Sequence, residues 1–127
     1  MSTSMDYLRF AQMLLNGGEL DGVRLLSRKT LELMYSNHLP ENLLPWELAG
    51  IYNYGYGFGL GSRVLLNVAQ SQKPGSVGEH GWAGAAKTYF WVDPVEDLIG
   101  ILMMQYMFGM ELPDRDFQVQ VYQAFID

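Results

Sequence analysis

The chain has 127 residues, 49% of them apolar and only 17% charged, which is the composition of one folded domain and not of a disordered segment. Eight basic against fourteen acidic side chains leave a net charge of −6. That balance argues against nucleic acid or an anionic membrane surface as partner, because both need a concentrated basic patch. Without cysteine, disulfides, thiolate nucleophiles and cysteine-based zinc sites are excluded within this sequence.

The first element is a helix. Tyr7, Phe10, Ala11, Leu14 and Leu15 recur at helical spacing and put one apolar stripe on one face. Thr3 and Asp6 have the spacing of a capping box, and Asn16-Gly17-Gly18 is a stop followed by a turn. A shorter helix is predicted from an N-cap at Ser27 through Leu31 and Met34 to about Tyr35. Residues 36–53 carry Asn37, Pro40, Asn42 and Pro45 without a clear period and read as a loop.

Sheet signals follow. Tyr54–Leu66, "YGYGFGLGSRVLL", alternates glycine with aromatic or aliphatic residues, a period of two that lets neighbouring backbone lie close. Gln70–Gly78 is a polar turn or loop. From Ala86 to Val92 a strand is predicted with Ala86, Thr88, Phe90 and Val92 on one face and Lys87, Tyr89 and Trp91 on the other. Asp93–Asp97, "DPVED", is a tight connection, and Leu98–Tyr106 returns as a strand whose unbroken apolar character calls for cover on both faces. Asp114 or Asp116 is placed as the cap of a last helix bearing Phe117, Val121, Ala124 and Phe125 on one face. The sum is one α+β domain over residues 1–127, an antiparallel sheet of about four strands flanked by N- and C-terminal helices.

The longest apolar run, Leu98–Met104, is too short to cross a bilayer, and the first ten residues lack a basic stretch followed by an apolar one. No membrane partner is expected, and a cytoplasmic location follows if the chain is native as it stands. Metal chemistry finds no support: His38 and His80 lie far apart and outside any metal-binding frame. No cofactor is called for. The glycines of "GYGFGLG" fall at every second position, which suits a strand and not a phosphate loop. Glu96 and Asp97 read as solvated turn charges and not as an acid/base pair.

Trp82-Ala83-Gly84 is the segment that points to chemistry. The stretch "GWAGAAKTYFWVDPVEDLIGILMMQ", Gly81–Gln105, resembles the C-terminal sheet of the serine β-lactamase and penicillin-binding-protein-like hydrolases, above all their class C-like esterase branch. There the third active-site element, Lys-Thr-Gly in the lactamases, also occurs as Trp-x-Gly or His-x-Gly, followed by a hairpin and an apolar last strand. "STSMDYLRFAQMLLNGGELDGVRLLS" and "GYGFGLG" resemble the helix and strand leading into that sheet, so the resemblance spans nearly the whole chain.

The resemblance implies a β-lactamase/transpeptidase-like fold and a role in acyl transfer. Ala85 would supply one backbone N–H of the oxyanion hole, while Trp82, Ala83 and Gly84 form a substrate-binding wall. Trp82 in the lysine position replaces a positive charge with an apolar surface and an indole donor, which favours an uncharged ester or amide over a β-lactam carboxylate. The family's Ser-x-x-Lys is absent: Leu26, Gln70 and Gly84 stand three residues before Lys29, Lys73 and Lys87. Tyr35-Ser36-Asn37 spells Tyr-x-Asn, but it ends the second helix, whereas the catalytic tyrosine belongs to an upstream helical domain. The expectation is therefore a C-terminal fragment of a serine hydrolase, inactive alone, whose partners are a small acyl substrate in the full-length enzyme and the missing N-terminal portion. The alternative is a stand-alone, non-catalytic binding or oligomerisation module that pairs with a second copy through an exposed sheet edge.

Overall fold

The computed structural model of the protein describes residues 2–107 and 113–125. Helix α1 (Ser4–Leu15) starts at the predicted capping box: the Thr3 hydroxyl accepts from Asp6 N–H, and the Asp6 carboxylate accepts from Thr3 N–H. It stops where Gly17 N–H bonds to Leu14 O and Gly18 N–H to Met13 O. That pair of bonds needs a left-handed residue after the cap, and Gly17 has φ 71°. A small hairpin, β1 (Glu19–Leu20) and β2 (Val23–Arg24), leads to α2 (Arg28–Met34), capped by Ser27 as predicted. Met13, Leu14 and Leu31 form the core where the two helices meet, joined by Leu20, Leu26 and Phe90.

Residues 36–53 are not the structureless loop that the sequence suggested. They hold a 3-10 turn, Glu41–Leu43, and a hairpin of β3 (Trp46–Leu48) and β4 (Ile51–Asn53). Its strands have three residues each and turn at Ala49 and Gly50, both left-handed. An alanine stands where Asn or Gly normally announces such a turn, so the usual signal was missing.

The main sheet is antiparallel with five strands in sequence order: β5 (Tyr56–Phe58), β6 (Arg63–Leu65), β7 (His80–Ala83), β8 (Tyr89–Asp93) and β9 (Leu98–Leu102). A short helix α3 (Val68–Ser71) follows β6. The glycine-alternating segment is thus two strands and a tight turn, with Gly59 N–H bonded to Ser62 O. Its glycines do permit close approach: a Cβ at Gly59 would lie 2.1 Å from Met34 O. The predicted last strand stops at Leu102, four residues early.

The two faces of the sheet differ. Phe90 meets Tyr7 and Phe10 of α1 edge-on, at 5.0 and 6.4 Å. On the other face Trp91, fully buried, takes Phe117 of α4 (Asp114–Gln123) at 5.7 Å. Gly100 lies opposite Trp91 in the ladder, and a Cβ there would come within 2.1 Å of the indole. Helix α4 departs from expectation. Pro113, not an aspartate, occupies the cap position, and Ala124 and Phe125 of the predicted apolar stripe are exposed. The buried positions are polar: Asp114 and Gln118, followed at the same spacing by half-buried Tyr122. No described helix is long and apolar enough to cross a membrane.

Candidate active site

The site is built at the end of β7. Strand β6 pairs with β7 only at Arg63↔Gly81 and Val64↔His80, whereas β8 pairs along its whole length to Ala83↔Tyr89. Trp82 and Ala83 are therefore held from one side and lack a ladder partner on the β6 side. Gly84 N–H bonds to Thr88 O and Lys87 N–H to Gly84 O, which closes a three-residue hairpin loop with Lys87 left-handed at φ 62°. The strand predicted from Ala86 consequently begins at Tyr89, because residues 85–87 form the turn. Within the strand the predicted faces hold: Phe90 and Val92 lie opposite Tyr89 and Trp91.

Part of the smallness of this segment comes from the hairpin itself. A Cβ at Gly81 would sit 2.1 Å from Phe90 O, and one at Gly84 would lie 2.3 Å from Thr88 Oγ1. The remaining openness forms a groove of about 330 Å³, lined by Trp82, Ala83, Gly84, Phe90, Tyr7 and Met103 among others. All three predicted wall residues line it. Ala85 lies just beyond, exposed at the first turn position, and its N–H has no partner among the described residues.

Two residues that support Trp82 escaped the sequence. Trp46 stacks over Trp82 at 6.2 Å and 19°, and Phe58 meets both indoles edge-on, at 5.4 Å from Trp46 and 5.1 Å from Trp82. Trp46 Nε1–H donates to Tyr56 O at 3.0 Å, which pins the β3–β4 hairpin to the sheet. The signal available was a tryptophan directly after Pro45, with Leu43, Leu44 and Leu48 close by in the chain.

The remaining candidates are structural. His80 is buried and stacked on Tyr35, and its Nδ1–H donates to Gly78 O at 2.9 Å. Burial pulls its pKa down to about 4, so the ring is neutral. Asn37 Oδ1 accepts from Phe58 N–H and Leu39 N–H, which makes Tyr35-Ser36-Asn37 a clamp on β5. Glu96 and Asp97 are exposed in the turn after β8. No group of three or more metal-ligating side chains occurs among the described residues.

An antiparallel sheet with one helix on each face and a small-residue corner at the free end of its third strand is the layout of a serine acyl-transfer fold. The sequence matches the Beta-lactamase family over residues 1–124, and the chain belongs to that family. Two relatives in Mycobacterium tuberculosis, Protein Rv1367c and Uncharacterized protein MT1414, are each 38% identical over 109 residues, which cover 83% of this chain and 27% of theirs. Among solved structures, EstCE1, a hydrolase with promiscuous acyltransferase activity, superposes with a TM-score of 0.73 at 20% identity, over 94% of this chain and 29% of that one. Simvastatin synthase LovD from Aspergillus terreus gives 0.72 at 21%, over 94% and 33%. These likenesses show the fold. The chain spans about a quarter of the length of the curated relatives.

Proposed function

We infer that this chain contributes the substrate wall and one oxyanion donor to a serine hydrolase or acyltransferase whose nucleophile and general base lie on polypeptide outside residues 1–127. The observation that carries the reading is the Ala85 N–H, without a partner among the described residues, beside a groove lined by Trp82, Ala83 and Gly84. An acyl carbonyl lying along the free margin of β7 would be polarised by that amide as charge develops on its oxygen. The groove lining of Trp82, Tyr7, Phe90 and Met103 offers apolar faces, and no cation is among the described lining residues, which favours a neutral ester or amide.

NMR titration with p-nitrophenyl butyrate provides the test. Shifts are expected at the Trp82 indole and the Ala83–Ala85 amides, with turnover at the buffer background because Ser-x-x-Lys is absent. Ala85→Pro deletes the donor and suits the first position of this turn. Joined to a family segment carrying Ser-x-x-Lys and Tyr-x-Asn, the chain should support hydrolysis, and Ala85→Pro should lower it about 100-fold. Serine-dependent turnover by the chain alone, or a site of shifts away from Trp82–Ala85, would overturn the reading.

A second reading, a non-catalytic module that pairs with a second copy, is favoured by one observation. Strand β9 ends the sheet with no further strand beside it among the described residues, and exposed Met103, Met104 and Tyr106 follow directly.

A further inference from the structure

A second pocket lies between the β3–β4 hairpin, α3 and the start of α4, and it shares no lining residue with the Trp82 groove. Its volume is about 260 Å³. Among the described lining residues, three cations, Arg63, Lys73 and Arg115, face one carboxylate, Asp114, a formal charge of 3 − 1 = +2, with Glu79 buried behind them. The whole chain has eight basic residues and a net charge of −6, so this is a local reversal of sign.

The cations are held differently. The Arg63 guanidinium lies 4.9 Å from the ring centres of both Tyr56 and Tyr89, donates to Tyr89 Oη at 2.6 Å and stands 3.5 Å from Asp114. Its Nε is buried without a partner among the described residues. Lys73 Nζ sits 4.9 Å over the Tyr56 ring and donates to Gln118 Oε1 at 2.5 Å. Arg115 is exposed and donates to Gln72 O. Tyr52 and Tyr54, both more than half exposed with rings 5.9 Å apart, complete an aromatic side.

We propose that this pocket binds a small organic anion with a flat, unsaturated body, its carboxylate between Lys73 and Arg115 and its plane against the tyrosines. Arginine and lysine together satisfy a carboxylate with charge-assisted hydrogen bonds, and a planar body covers the exposed ring faces as a bare phosphate cannot. The proposal is independent of the acyl-transfer reading, since no residue placed against the anion lines that groove.

The test is NMR titration of the purified chain with sodium benzoate and, separately, with inorganic phosphate. Benzoate is expected to shift Tyr52, Tyr54, Tyr56 and Lys73 and to saturate with a dissociation constant on the order of 1 mM. Lys73→Met should weaken it about 10-fold. Arg115→Ala, at an exposed position that leaves the fold intact, should also weaken it. Raising the pH past about 8 should weaken binding too. Burial and the charges of Arg63 and Arg115 bring Lys73 down to that value, against the opposing pull of the Glu79 and Asp114 carboxylates. Absence of saturation, shifts confined to residues 82–88, phosphate binding as tight as benzoate, or unchanged affinity in both variants would each overturn the proposal.

Discussion

His80 couples stability to pH at the scale of one residue. The ring is 3% exposed, and its pKa falls to about 4 from an unfolded value near 6.5. Above pH 6.5 both states are neutral and His80 adds no pH dependence. Between about 6.5 and 4 the unfolded chain takes up a proton that the folded chain does not, so stability drops as pH falls, by up to about 3 kcal/mol. Neighbouring Glu79 opposes it: burial raises that carboxyl, so the folded state binds its proton first and gains stability on acidification. Urea unfolding of His80→Gln at a series of pH values separates the two. The variant should lose the decline over that window and leave only the upward trend of Glu79. An unchanged profile would show that His80 is not the group responsible.

At the scale of elements, α4 shows where a sequence pattern stops being readable. Apolar spacing identified the helix and its contact of Phe117 with Trp91, but not its most buried positions, which are the polar Asp114 and Gln118. Gln118 explains why. Its Nε2–H donates to Glu79 Oε2 at 2.7 Å, and its Oε1 accepts from Lys73. Tyr122 Oη donates to Glu79 at 3.2 Å and lies 2.6 Å from Asp93 Oδ2, while Tyr56 Oη donates to Glu79 Oε1 at 3.3 Å. Such positions look solvent-facing in any hydropathy reading, since their partners lie 29 or more residues away in the chain. Local signals fared better: the Thr3–Asp6 box, the Asn16-Gly17-Gly18 stop and the Ser27 cap need only neighbouring residues. The corner at Trp82–Gly84 was legible for the same reason, whereas Trp46 and Phe58 reach it only through tertiary packing. Gln118→Met keeps the volume but strips Lys73 and Glu79 of their shared partner. It should destabilise the chain by about 2–4 kcal/mol in chemical denaturation, since Lys73 loses its Gln118 acceptor and Glu79 keeps only its two tyrosine donors. Phe125→Ala, at an exposed position of the predicted stripe, should change stability by less than about 0.5 kcal/mol. The reverse order of the two effects would restore the apolar face as the seat of α4.

At the scale of the molecule, the sheet is asymmetric in its margins. On one side β5 is short and its neighbourhood is filled by α2 and the Asn37 clamp, with His38 N–H bonded to Phe58 O. On the other, β9 is a five-residue apolar strand that among the described residues pairs only with β8 and has helices over both faces, so cover on the faces does not protect its margin. The exposed Met103, Met104, Tyr106 and Met107 extend the apolar surface beyond it. A strand of this kind satisfies its outward N–H and C=O groups by pairing, and an antiparallel partner that is a second copy of β9 gives a closed two-fold dimer. Light scattering on the chain alone should therefore give a mass that rises with concentration through the tens of micromolar range. Met104→Lys places a charge at the end of the margin and should return the chain to monomer without altering the groove at Trp82. A constant monomer mass in the parent chain would mean that β9 does not recruit a copy of itself. The margin would then be left for the polypeptide that carries the nucleophile, and adding that polypeptide should protect the outward amides of β9 from hydrogen exchange.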